Sequence, residues 1–175
     1  MAHQPLIRAV TPAEYERVGD LTVKAYAALP VDHLWGGYDD EIRAVEKRLD
    51  ATDVLVAVVD GEVVGAVTYV SDPASRWLEW NEPGEAQIRL LAVDASVQGR
   101  GVGEALVAAC IERAREQGMT ILLHTTQHMP AAQRLYTRMG FVRRPDRDVH
   151  DFEAEHDMTF MAFTFDPERS TIPAG

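Results

Sequence analysis

Ile88-Arg89-Leu90-Leu91-Ala92-Val93-Asp94-Ala95-Ser96-Val97-Gln98-Gly99-Arg100-Gly101-Val102-Gly103 runs from an apolar strand, round a polar corner, into a glycine-spaced loop that opens a helix. Glycines at alternate positions let the backbone turn tightly and approach a ligand closely. The free N–H groups of such a loop and of the first helical turn converge on one point, and the helix dipole adds to them, which makes an anion site. Arg100 places a positive charge beside it, so a phosphate or pyrophosphate is the natural guest. A Walker loop would end in Gly-Lys-Ser/Thr, but Gly103 is followed by Glu104. A dinucleotide fingerprint needs a third glycine at its sixth position, where Glu104 or Leu106 stands in the two available frames.

Outward from this stretch the periodicity sets the remaining elements. Downstream, Val102, Ala105, Leu106, Ala109 and Cys110 share a stripe and predict a helix over Gly101–Gln117, ended by Gly118. Thr120–Thr125 reads as a strand, Pro130–Met139 as a helix closed by Gly140, and Phe141–Arg143 and Met158–Phe165 as the last strands. Upstream, Gln87–Val93 is a strand, preceded by a loop, Ser71–Gly84, that carries Trp77 and Trp80. Val54–Val59, Asp60-Gly61 and Val63–Val70 form a hairpin. A helix with Ile42, Val45 and Leu49 on one face begins near Asp39, after a Pro30–Tyr38 loop. Thr11-Pro12-Ala13-Glu14 is a capping box for a helix reaching about Leu29, and Leu6–Val10 is the first strand. The order is β-α-α-β-β-β-α-β-α-β-β. Hairpins and helical crossovers alternate, so the expected fold class is α/β, a mixed sheet with helices on both faces.

The chain has 175 residues, 46% of them hydrophobic and 26% charged, which suits one domain and excludes wholesale disorder. About 6–165 should be folded and 166–175 a loose tail. No apolar run is long enough for a membrane span, and no secretory signal is evident at the start. With 17 basic against 28 acidic residues the formal charge is −11, unfavourable for general nucleic-acid binding. The single cysteine, Cys110, permits no internal disulfide, and a cytoplasmic location fits best.

Gln98-Gly99-Arg100-Gly101-Val102-Gly103 resembles the Gln/Arg-x-x-Gly-x-Gly/Ala signature of the GNAT superfamily of N-acetyltransferases. Ala132-Gln133-Arg134-Leu135-Tyr136-Thr137-Arg138-Met139-Gly140-Phe141 is similar to that family's Ala-x-x-Leu-Tyr-x-x-x-Gly-Phe segment. The resemblance covers about Leu6 to Phe165. It implies acetyl-CoA as cofactor and acetyl transfer to a primary amine of a small molecule or peptide by direct attack. It further implies pyrophosphate on the amides of Gln98, Gly99, Arg100, Gly101, Val102 and Gly103, the pantetheine arm along Leu91, Ala92 and Val93, and Tyr136 as the proton donor to the thiolate. No metal is implied, and a homodimer is one state that family members adopt. An amine with a pKa near 10.4 costs about 4–5 kcal/mol to deprotonate at pH 7, so a base is needed. Many members carry a glutamate where Gln87 stands. Glu85, on the same face two residues earlier, is the substitute candidate. Many members also carry an asparagine where Met129 stands. These departures keep open a catalytically silent CoA-binding module. A nucleotide-binding oxidoreductase is the more distant alternative.

Trp35, Tyr38, Trp77 and Trp80 sit in or beside loops where the family places its acceptor; they are candidate pocket residues or simply cover a core edge. His124 reads as a wall histidine, and no histidine pair has convincing metal spacing. Asp146–Asp157 holds six acidic residues against one arginine, either a solvated loop or a wall attracting a cationic acceptor.

Overall fold

The computed structural model describes residues 4–27, 38–151 and 158–170. Eight strands form one sheet: β1 (Leu6–Ala9), β2 (Asp53–Val59), β3 (Glu62–Val70), β4 (Glu85–Val93), β5 (Thr120–Thr126), β6 (Val142–Arg143), β7 (Val149–Asp151) and β8 (Met158–Phe165). Their order is β1-β2-β3-β4-β5-β8-β6, and β7 also pairs with β8. The β4–β5 pair is parallel and the other pairs are antiparallel. The sheet is therefore mixed, as expected.

Strand alternation sends side chains to two layers. Leu55 and Ala57 of β2 join Leu106, Cys110 and Ile111 of α3 (Val102–Gln117) in the larger core cluster. Val54 and Val56 point the other way, to Val18 of α1 (Tyr15–Ala27) and to Val45. α4 (Pro130–Arg138) adds Leu135 and Tyr136 to the α3 side.

The capping box forms: the Thr11 N–H donates to Glu14 Oε2 at 2.9 Å, and Arg8 grips the same carboxylate. It opens a short 3-10 turn that leads into α1. Three features differ from the sequence expectation. The helix expected from Asp39 is α2 (Tyr38–Arg43), followed by a 3-10 segment over Val45–Ala51. Its apolar face is divided, Ile42 packing with Trp77 and Val45 with Val18, and α1 approaches so closely that a Cβ on Gly19 would stand 2.4 Å from the Arg43 carbonyl oxygen. β4 begins at Glu85 rather than Gln87, and β7 is an added strand. After β8 the Ser170 N–H donates to the Asp166 carbonyl and closes a turn.

Candidate active site

The parallel pairing of β4 with β5 lasts only from Glu85–Thr120 to Gln87–Leu122. Beyond it the two strands part, and the facing edges from Ile88 and Leu123 onward carry no ladder. An opening at the carboxyl ends of parallel strands is where α/β sheets bind ligands.

β4 also changes face inside this opening. Against β3 its register moves from Ala66–Ala92 to Thr68–Arg89, one extra residue on β4, and Leu90 has φ +52°. This bulge turns Leu90 to the α2 side, with Ile42, Val70 and Trp77, while Ile88 and Leu91 both face α3.

At the end of β4, Asp94 caps a 3-10 turn over Ala95–Val97, accepting from the Ser96 N–H at 3.0 Å and hydroxyl at 2.7 Å. These bonds, with Arg17 at 2.9 Å, hold its carboxyl far below the usual carboxylate range. The turn delivers Gln98 to Gly103. Gln98 Nε2 donates to the Val93 carbonyl at 3.4 Å. Gly101 is the N-cap of α3, with φ +80° and no side-chain cap, which leaves the first-turn N–H groups of the helix uncommitted to any capping side chain. A Cβ on Gly103 would touch Leu135 and Val93 at 3.4 and 3.6 Å, so β4, α3 and α4 meet there. An uncapped 16-residue helix behind two left-handed glycines suits a pyrophosphate.

Tyr136 is 5% exposed, its ring packed against Phe141 and Phe163. Burial raises its pKa, so the phenol keeps its proton. Met129, in the place of the family's asparagine, is the N-cap of α4 and contributes no side-chain cap.

On the opposite face of β4 the polar residues hold the β3–β4 loop. Gln87, 2% exposed, bonds reciprocally with the Glu79 backbone. Arg89 donates to the Trp77 carbonyl at 2.9 Å and pairs with Glu79. Glu85 is held by both terminal nitrogens of Arg147, at 2.5 and 2.9 Å, and accepts from the Glu82 N–H at 2.8 Å. Arg147 also donates to the Trp80 carbonyl at 3.0 Å.

The candidate pocket residues separate. Trp77 is 4% exposed and belongs to the core beside Leu90, with Arg76 and Arg89 over its ring. Trp80 is 47% exposed, has φ +59°, and stands edge-on to His124 at 4.9 Å. Tyr38 opens α2, and Trp35 lies outside the described residues. In the acidic segment Asp146 and Asp148 are taken by Arg144 and Arg143; 152–157 lie outside the described residues.

Sequence reasoning missed Arg147 and the loop-holding roles of Gln87 and Arg89. Arg147 is the single cation in its acidic segment, which is a signal, but its partner lies 62 residues earlier and only the fold brings them together.

The parallel pair thus splays beside a bulged strand, ahead of a helix opened by Gly101. The family model for the acetyltransferase (GNAT) family matches residues 19–141, and the chain belongs to that family. It is 33% identical over 139 residues to a mycothiol acetyltransferase of Sanguibacter keddieii, a match covering 78% of this chain and 43% of that protein. A mycothiol acetyltransferase of Salinispora tropica is 33% identical over 156 residues, 79% of this chain and 47% of the other. The chain thus spans under half the length of these curated relatives. Among solved structures, the Salmonella typhimurium protein yncA, determined with its cofactor acetyl-CoA, has a TM-score of 0.71 and 18% identity, covering 99% of both chains. A Corynebacterium glutamicum structure described as histone acetyltransferase HPA2 and related acetyltransferase has a TM-score of 0.72 and 24% identity, again covering 99% of both.

Proposed function

We propose that this protein is an acetyl-CoA-dependent N-acetyltransferase that acts on a primary amine by direct transfer. The observation that carries the proposal is the strand opening behind Gln87–Leu122, with the uncapped N-terminus of α3 at its end. Bound acetyl-CoA would supply the activated acyl group. The amides from Gln98 to Gly103, with Arg100 beside them, would hold its pyrophosphate, and the open edge of Leu91, Ala92 and Val93 would take the pantetheine amides. Tyr136 would give the departing sulfur a proton, a task suited to a phenol that burial keeps protonated. A backbone N–H such as that of Val93 would face the developing oxyanion. Glu85 would accept a proton only from within its Arg147 ion pair.

The mycothiol acetyltransferases suggest a small-molecule acceptor. Since this chain matches less than half of each, mycothiol without its acetyl group is one member of an acceptor panel rather than the assigned substrate. The other members are an alkylamine, an amino-acid amide, a polyamine and an amino sugar.

The test is calorimetric titration with acetyl-CoA, CoA and NADH, followed by thiol release from acetyl-CoA with each amine. Binding of both CoA species but not NADH, with amine-dependent release, is expected. Absence of CoA binding overturns the proposal. CoA binding without release from any amine assigns the silent-module reading instead.

A further inference from the structure

His124 lies on the face of β5 turned away from α3, two residues beyond the last β4–β5 pair at Gln87–Leu122. Ile121 and Leu123 point to the α3 side, so Leu122 and His124 point to the side where Gln87 and Arg89 hold the tryptophan loop. The imidazole Nε2 is 3.3 Å from the Arg147 carbonyl oxygen. A carbonyl only accepts, so Nε2 carries the proton and donates it. In the neutral ring Nδ1 is then a bare lone pair, and it is buried with no hydrogen-bond partner among the described residues. Buried polar atoms are seldom left unpaired, and a catalytic role is one of the reasons for such an atom. On this face Gln87 is committed to Glu79, and Glu85 to Arg147 and Glu82.

We propose that His124 is the general base, its Nδ1 taking the proton from the acceptor ammonium once the Trp80 side chain turns away from the imidazole. This rests on the N-acetyltransferase reading. The N–H bond of the ammonium breaks and its proton goes to Nδ1, leaving a neutral amine and an imidazolium. The freed pair on nitrogen forms the C–N bond to the acyl carbon. As the tetrahedral intermediate collapses, the C–S pair leaves on sulfur and takes its proton from Tyr136. The second N–H proton, which the amide product does not keep, passes by way of water to restore the Tyr136 phenol.

The surroundings suit the task. Burial lowers the His124 pKa, and Arg147 and Arg89 add to that, so the ring is neutral and ready at pH 7. The Arg147 carbonyl and Asp148 pull the other way and would steady the imidazolium. Toward β8 the register partner is Ala162, which carries no charge. Trp80, 47% exposed and edge-on to the ring, is the side chain that an incoming amine would displace.

The experiment compares pH profiles of kcat/KM for wild type, His124→Gln and Glu85→Gln, using the fastest-acetylated amine of the panel. Glutamine keeps a donor for the Arg147 carbonyl and has no titrating nitrogen. With His124 as base, the wild type is flat from the imidazole pKa to the amine pKa. His124→Gln instead rises tenfold per pH unit, because only the free amine reacts. At pH 7 it is slower by on the order of 100-fold or more, with acetyl-CoA affinity unchanged. A flat profile within threefold of wild type in His124→Gln overturns the proposal. So does the rising profile appearing in Glu85→Gln alone. Nitrogen NMR of the wild-type imidazole gives a test that needs no variant to fold: the Nε2–H tautomer, neutral at pH 7, is expected. An Nδ1–H tautomer, or a charged ring at pH 7, overturns the proposal. A wild type that binds acetyl-CoA but acetylates no amine overturns the N-acetyltransferase reading, and this inference falls with it.

Discussion

The Gln87 side chain and the Glu79 backbone satisfy each other: the Glu79 N–H donates to Gln87 Oε1 at 3.1 Å, and Gln87 Nε2 donates to the Glu79 carbonyl at 3.3 Å. An ionised carboxylate cannot do both, since one bond needs an acceptor and the other a donor. The glutamine is thus matched to the loop that crosses this face. Gln87→Glu, which installs the residue common in the family, removes the donor and places a carboxylate against the Glu79 carbonyl, close to the Glu79 and Glu85 side chains. The expected cost is about 1–3 kcal/mol, read as a lower urea midpoint at pH 7 with an unchanged slope. The loss should shrink in acid as the new carboxyl protonates and regains a donor.

Arg147 and Glu85 are 13% and 10% exposed, so their ion pair is largely shielded from water. Removing one partner leaves the other charge buried, which costs about 3–5 kcal/mol for a fully buried pair. Since both groups keep some exposure, about 2–3 kcal/mol is expected for Arg147→Ala. Arg147 also secures the Trp80 carbonyl, so the variant should raise KM for the amine more than it alters the Kd for acetyl-CoA. Denaturant melts and calorimetry check the two statements separately.

Glu14 gives a pH prediction with a fixed sign. Its bonds to Arg8, then to the Thr11 N–H and hydroxyl, lower its carboxyl pKa from 4.5 to about 2 despite partial burial. A lowered folded-state pKa means stability present above the unfolded value and lost as pH falls through the folded one. The contribution should therefore be complete above about pH 5 and disappear toward pH 2. Glu14→Gln keeps an acceptor for the Thr11 N–H but loses the charge that pairs with Arg8. It should therefore lower stability by up to about 1 kcal/mol at pH 7 and converge with wild type as melts are repeated from pH 5 to pH 2.

What the sequence revealed and what it hid divides along a physical line. The capping box at Thr11–Glu14, the Asp60-Gly61 hairpin and the glycine loop are local, and each is set by neighbours within a few residues. The Leu90 bulge and the parting of β4 from β5 depend on pairing with distant strands, and no periodicity in Gln87–Val93 signals them. α2 ends at Arg43, where Gly19 of α1 packs against its backbone, a contact between segments distant in the chain. At the site, Gly99–Gly103 could be read from spacing. Arg147 holding Glu85, and Gln87 holding Glu79, follow from chain segments meeting in three dimensions. His124 reads as a wall residue from the sequence, and the carbonyl that fixes its tautomer lies 23 residues away.

Gly101 and Gly103 should respond oppositely to alanine. At Gly101 a Cβ would meet nothing within 4 Å, yet φ is +80°. The penalty there is backbone strain, about 1–2 kcal/mol, and relief by turning to negative φ would swing the first amides of α3 away from the ligand. Gly101→Ala should therefore lower both the melting temperature and the affinity for CoA. Gly103 lies inside α3, and its Cβ would make ordinary contacts with Leu135 and Val93 at 3.4 and 3.6 Å. Alanine in a helix interior is favoured over glycine by about 1 kcal/mol, so Gly103→Ala should hold or raise the melting temperature. The added methyl narrows the space between β4 and α4. If the pantetheine arm runs along Val93, CoA affinity falls in a protein that is no less stable. Titrating both variants with CoA, alongside their thermal melts, separates the strain of the loop from the width of the cleft, because only Gly103→Ala loses affinity without losing stability.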